Sequence, residues 1–304
     1  MATQFESDCH RDTGEWPYRL FQYGLGYPSI WAASGVASLV IFVQWTLELP
    51  LQWQPVLFIF AATLIPYNLD RIADSFLQEI PDRHAQGFFR RGWGWLVLIT
   101  AVVALGTLLL DASDTVLLVT LGGSLALLYG LPVLPWWRQQ RLRWYRLKAL
   151  IPATKSWIVS AIVTYALLGI PLAYAEVTLG LGAALTGYFL LVFIGTNAHL
   201  FDVRDLDADR QAGVLTLPLL VGVSGNRAIW SLLNLSSILV VGWGWTNGLA
   251  VPPPEVVLAC IAANLALLQW TRPDTGRVFF DVYVDGALFL PCLLLGAIRV
   301  VGWH

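Results

Sequence analysis

Residues 177–222 read VTLGLGAALTGYFLLVFIGTNAHLFDVRDLDADRQAGVLTLPLLVG. From Val177 to Leu200 there is no Asp, Glu, Lys or Arg, and a helix of that length crosses the hydrocarbon core of a bilayer. The apolar run gives way to Asp202, Asp205, Asp207 and Asp209, with Arg204 and Arg210 among them. Gly213, Thr216, Pro218 and Gly222 then punctuate a return to apolar sequence, as an ordered re-entry into a membrane requires. An apolar span followed by a dense charged turn is the repeating unit of a polytopic helical membrane protein.

The rest of the chain follows the same plan. Its 304 residues are 57% hydrophobic and 12% charged, with a mean hydropathy of +0.65. Soluble domains are roughly half apolar and about a quarter charged, so a cytosolic enzyme is excluded. The apolar residues come in long runs and do not alternate, which excludes an outer-membrane barrel. A net charge of −2 and a pI near 6.1 give no basis for a nucleic-acid partner. Cys9, Cys260 and Cys292 are isolated and odd in number, so neither a disulfide framework nor a cysteine zinc site is indicated.

The expected fold is therefore all-α, a polytopic bundle of about nine transmembrane helices in contact with membrane lipids. The segments are Ser29 to Leu47, Pro55 to Asp74, Trp93 to Leu110, Thr115 to Leu134, Ala149 to Leu168, Val177 to Leu200, Ala228 to Thr246, Val256 to Trp270 and Phe279 to Val300. Residues 1–28 form a charged N-terminal segment, cytoplasmic or interfacial, without the pattern of a cleaved signal. No Gly-, Ser- or Pro-rich linker divides residues 29–304, which read as a single transmembrane domain. Nine spans place 17 of the 18 Lys and Arg on one side, only Arg299 falling on the other. By the positive-inside rule that side is cytoplasmic, the N-terminus included, in a bacterial inner membrane or its equivalent.

Carboxylates at the end of a membrane helix are costly and tend to mark function. Asp70 and Asp74 are four apart and share a helix face, where a cation would relieve their repulsion. Asp202, Asp205 and Asp209, at i, i+3 and i+7, share another. Such clusters suit Mg²⁺, which takes a few carboxylates and leaves positions for substrate phosphate oxygens. For the first pair, solvated charge at a helix end is an equally good reading.

The pattern from Asp205 to Gly222, DxxxDRxxGxxTLPxxxG, resembles the second aspartate-rich motif of the UbiA superfamily of intramembrane prenyltransferases. Asp70 to Asp74 resembles the end of that family's first motif, NDxxDxxxD, but Pro66 and Tyr67 stand where the family has Asn and Asp, with Asn68 close by. The resemblance implies a UbiA-like fold and an isoprenoid diphosphate held by Mg²⁺ at Asp70 and Asp74 on one side and Asp205 and Asp209 on the other. These four are the implied catalytic carboxylates, and Asp202 is a supporting metal ligand. It further implies transfer of a polyprenyl group to an aromatic, electron-rich acceptor such as a quinone or pigment precursor.

Around this core, Asn68, Arg71, Lys148, Lys155, Asn197, Arg210, Asp281 and Asp285 are candidates for binding substrate. The only lysines, Lys148 and Lys155, are seven apart on the helix expected from Ala149, which sets Lys155 about two turns inside. An ammonium there reaches a phosphate or snorkels back to the interface. For Arg71 and Arg210 the competing reading is a solvated positive-inside arginine, and for Asn197 an interhelical hydrogen bond. Asp281 and Asp285 open the last helix, whose N-terminus stabilises carboxylates with or without a further role. His199 reads as a polar group at a helix end. Trp136, Trp137 and Trp144, among the arginines from Arg138 to Arg146, read as a headgroup-level anchor.

Two other functions fit the same residues. A terpene cyclase of the superfamily quenches the carbocation within its own chain, and a catalytically degenerate relative binds lipid, quinone or pigment as a subunit of a membrane complex. Tyr67 in the lead position favours the degenerate reading; Asp205, Asp209 and the Thr-Leu-Pro run count against it.

Overall fold

The structure, a computed structural model, describes residues 12–77, 83–127, 134–138, 141–145 and 152–302. In chain order the helices are α1 (Asp12–Phe21), which continues as a π-helical turn (Gln22–Gly26), α2 (Ile30–Thr46), α3 (Trp53–Leu77), α4 (Arg83–Arg90), α5 (Trp93–Leu110) and α6 (Asp114–Leu127). A short antiparallel hairpin follows, β1 (Leu134–Arg138) and β2 (Arg141–Tyr145), with Trp136 opposite Arg143. Then come α7 (Lys155–Tyr174), α8 (Leu181–Arg204), the short α9 (Leu206–Ala212), α10 (Leu217–Thr246) and α11 (Pro254–Trp270). The chain ends in a π-helical turn (Phe279–Val284), one further turn (Asp285–Ala287) and α12 (Leu290–Val301).

The architecture is the expected helical bundle, and each expected apolar segment contains a helix. Among the described residues, five helices are long and apolar enough to cross a membrane. They rise to seven if each of two bent pairs is one span: α1 and its π turn with α2, bent by 62°, and the Phe279–Ala287 turns with α12, bent by 47°. Helices α6 and α11 are apolar but shorter.

The helices pack largely in sequence order. α2 lies on α3, α3 on α5, α6 on α7, α7 on α8, α8 on α10 and α10 on α11, while α12 returns to α2 and α11. The core lies between α2, α7, α8 and α11, where Leu39, Phe42, Leu167, Phe189, Leu190 and Cys260 are sealed from solvent. Leu96, Ile99, Val102 and Val103 of α5 instead point outward. A continuous outward apolar stripe suits lipid.

Close helix approach within this apolar interior depends on small residues and paired polar groups. Gly195 of α8 lies under the Trp230 ring of α10, and a Cβ at that position would collide with the indole. One turn of backbone further, Asn234 donates to Thr196 Oγ1 at 2.8 Å and accepts from Asn264 at 2.9 Å, joining α8, α10 and α11 by side chains alone. Where bilayer-depth amides would otherwise be unsatisfied, such a ladder specifies register.

Three helix boundaries differ from expectation, the first at α6, which ends at Leu127, while Leu134, expected to close it, opens β1. α7 starts at Lys155, not near Ala149, because Ala153 takes a left-handed backbone (φ 60°) just after Pro152 and no helix continues through it. Lys155 is therefore the first residue of the helix rather than two turns inside. α10 begins at Leu217, well before Ala228, and is interrupted at Gly222, whose φ of 75° and ψ of 166° are non-helical.

Candidate active site

The acidic run at the end of α8 does not stay on one helical face. α8 stops at Arg204, Asp205 turns out of helical geometry (φ −93°, ψ 13°), and α9 restarts at Leu206. That break separates the carboxylates. Asp202 and Asp209 both turn to Lys155, whereas Asp205 is held by its neighbour Arg204 through hydrogen bonds of 2.7 and 3.0 Å.

Lys155 sits at the centre of the first group. Its Nζ lies 3.0 Å from both oxygens of Asp209 and 3.5 Å from Asp202 Oδ1. The next residue, Ser156, donates to Asp202 Oδ2 at 2.5 Å. Side-chain exposure is 27% for Lys155, 3% for Asp202 and 10% for Asp209, so two almost fully desolvated carboxylates converge on one positive centre. Backbone contacts hold the partners in place: Ala153 N donates to Leu215 O, and Val214 N to Asp209 O.

The second group lies beyond Arg204. Its guanidinium stacks over Phe201 at 4.7 Å and Phe280 at 5.6 Å, and it is within electrostatic reach of Asp281 and Asp285. Arg71 of α3 donates from Nη1 to the carbonyls of Gly26 and Tyr27, at 2.9 and 3.1 Å, and feels the same two carboxylates. Tyr67, one turn before Arg71, interacts with Arg204 and Asp285. Tyr67 is 43% exposed, within electrostatic reach of charged groups on other elements. Asp281 accepts from Tyr18 at 3.0 Å and pairs with Arg277 at 3.4 Å. Lys155 in turn feels Asp205, so the Arg204–Asp205 pair links the two groups.

Several expected site residues have other occupations. Asn68 is buried and ties α3 to Pro28 O at 3.1 Å and Leu64 O at 2.9 Å. Asn197 donates to Val284 O at 2.7 Å, the interhelical bond that was its competing reading. Arg210 pairs with Asp207 on the exposed side of α9. Asp70 is exposed on the helix face of Tyr67 and Arg71. Asp74 falls in α3, but its side chain lies outside the described residues, as does all of Lys148. Among the described residues, no three of His, Cys, Asp and Glu form a ready-made metal cluster.

Sequence reasoning passed over Ser156, Arg204, Arg277 and Tyr18, which orient the carboxylates. Ser156 adjoins Lys155 and Arg204 adjoins Asp205, so both carried a local signal; Tyr18 had none. Beneath Asp202, His199 is fully buried, binds Gly195 O at 2.9 Å and sits against Trp230, 4.2 Å between ring centres, and Trp157, 5.5 Å. An aromatic floor therefore underlies the polar end of the bundle.

A family model for VviA prenyltransferase matches residues 28–272. No curated protein matches the sequence. Among solved structures, a UbiA homolog from Archaeoglobus fulgidus bound to GPP and Mg²⁺ superposes with a TM-score of 0.63 at 11% identity, covering 92% of this chain and 99% of that one. The same homolog bound to DMAPP and Mg²⁺ gives 0.62 at 10% identity, with the same coverage. A digeranylgeranylglyceryl phosphate synthase gives 0.55 at 12% identity, covering 93% of this chain and 99% of that one. At such identities the likeness is one of fold.

Proposed function

The chain belongs to the VviA prenyltransferase family, and from that premise we propose that it transfers a prenyl group from an isoprenoid diphosphate to an aromatic acceptor, a quinone or pigment precursor, at the cytoplasmic face of a membrane. The observation that carries the reading is the convergence of Asp202 and Asp209 on one positive centre at a helix end. Oxygens of two desolvated carboxylates directed at one point are the donor set that a hard divalent cation takes, so these residues fit Mg²⁺. Bound there, the ion would neutralise charge on the departing diphosphate. The Archaeoglobus homolog, bound to GPP and Mg²⁺, supports an isoprenoid diphosphate and Mg²⁺ as the ligands of this chain.

In this reading the chain's own groups do the rest. Arg204 and Arg71 supply donors for phosphate oxygens, with Asp281 and Asp285 within electrostatic reach of both. Asp70 and Asp74 sit at the mouth of α3 as the first-motif carboxylates. The bond between prenyl C1 and the bridging oxygen breaks with its electron pair leaving on the diphosphate. An acceptor carbon then bonds to C1 and releases its proton. Apolar helices hold the prenyl tail and keep water from the cation. Residues 29–304 act as one domain, with the N-terminal helix laid over its polar end.

The test is product formation. Purified protein with geranyl and longer prenyl diphosphates, Mg²⁺ and a panel of hydroxybenzoate and quinol acceptors should yield a prenylated acceptor by mass spectrometry. Cyclised hydrocarbon without acceptor adduct would assign the cyclase reading instead, and binding without turnover the degenerate one.

A further inference from the structure

Lys155 occupies the point that a divalent cation would need. Its ammonium is equidistant, at 3.0 Å, from the two oxygens of Asp209 and 3.5 Å from Asp202. The carboxylates cannot serve both positive centres, because two cations at such separation repel strongly where water is scarce. The Lys155 backbone is fixed, since it is the first residue of α7 and Ala153 N is bonded to Leu215 O. Four flexible carbons let the ammonium swing while its backbone stays. Its side chain is 27% exposed at the start of α7, which leaves the ammonium room to leave the carboxylates for a diphosphate bound to the same metal.

We propose that Lys155 is an exchangeable counter-ion: it neutralises Asp202 and Asp209 until a divalent cation takes their oxygens, and the displaced ammonium then pairs with the diphosphate. The inference rests on the metal and diphosphate site given under Proposed function, and it makes a specific demand. Metal alone binds against Lys155, and diphosphate gives the lysine a new partner, so the two ligands bind cooperatively through this residue. An ordinary phosphate-binding lysine does not weaken metal binding by itself. Ser156 has a matching part, since its bond to Asp202 Oδ2 leaves Oδ1 as the oxygen shared between Lys155 and the cation.

The experiment measures Mn²⁺ binding by electron paramagnetic resonance in full-length detergent-solubilised protein, with and without inorganic pyrophosphate. Lys155→Met should bind Mn²⁺ alone roughly tenfold more tightly than wild type, and the pyrophosphate enhancement of Mn²⁺ affinity should shrink. Lys155→Arg, which keeps the charge and grips carboxylates with a bidentate fork, should bind Mn²⁺ alone more weakly. If the methionine variant is unstable, the Mn²⁺-induced rise in its Tm, larger than that of wild type, reads the same effect. Unchanged or weaker Mn²⁺ binding in Lys155→Met, or no Mn²⁺ binding in any form, overturns the exchange. Failure of the prenyl-transfer reading would look different: Mn²⁺ and pyrophosphate bind with the expected shifts, yet no prenyl diphosphate is turned over.

Discussion

Asp281 accepts a 3.0 Å hydrogen bond from the Tyr18 hydroxyl, joining groups 263 residues apart. Tyr18 and Asp281 both lie outside the span matched by the family model, yet their contact sets the N-terminal helix against the turn that carries Asp285. Tyr18 is itself bonded by Gln22, and Gln22 by Tyr27, so a short polar chain runs from the last helix to the start of α2. Tyr18→Phe should therefore lower stability by about 1 kcal/mol, a partly exposed hydrogen bond to a charged acceptor. Limited proteolysis near residue 20 should accelerate in parallel, and an unchanged Tm and cleavage rate would contradict the tether.

Gly195 provides a sharper packing test. The indole of Trp230 fills the place a methyl group would take, and Trp230 has no exposed surface through which to retreat. Gly195→Ala should destabilise the protein by about 1–3 kcal/mol, the range for overpacking a well-filled core. A thermal melt in detergent checks it.

Asn234 is the hub of the buried ladder, accepting from Asn264 and donating to Thr196. Asn234→Leu removes three bonds, the third to Trp230 O, whereas Thr196→Val removes two, the second its own bond to Val192 O, so the loss in Asn234→Leu should be the larger. Within membranes each such bond is worth about 0.6–1.7 kcal/mol. Comparable melting temperatures for the two variants would show that the ladder does not act through Asn234.

Tyr67 stands where the resembled motif has its lead carboxylate, within electrostatic reach of Asp285, Arg71 and Arg204. Tyr67→Asp should lower the Mg²⁺ concentration that supports half-maximal turnover, because the new carboxylate adds a metal ligand beside two cations. A higher Mg²⁺ requirement would mean that the phenol itself helps hold the diphosphate.

What the sequence made legible follows from where the physics is local. Spans such as the 18 residues from Trp93 to Leu110 are readable because they must satisfy lipid by themselves, and Asp202 and Asp209 are readable because charge is rare beside such spans. The turning-away of Asp205 had no such marker, since the α8–α9 break falls between ordinary residues without Gly or Pro. The late start of α7 depends on the backbone at Ala153, which one residue type does not reveal. The Tyr18–Asp281 contact is tertiary, and no spacing rule spans it.

In the proposed mechanism Asp202 and Asp209 form the cation-binding side of a diphosphate-cleaving site. Diphosphate release from labelled geranyl diphosphate measures it most directly, using wild type and an Asp202→Asn, Asp209→Asn double variant with Mg²⁺ or EDTA. Wild type should release diphosphate only with Mg²⁺, and the double variant should lose about a hundredfold or more, as expected for groups acting on charge that develops in the transition state. Release that persists in the double variant, or that is indifferent to EDTA, would contradict it.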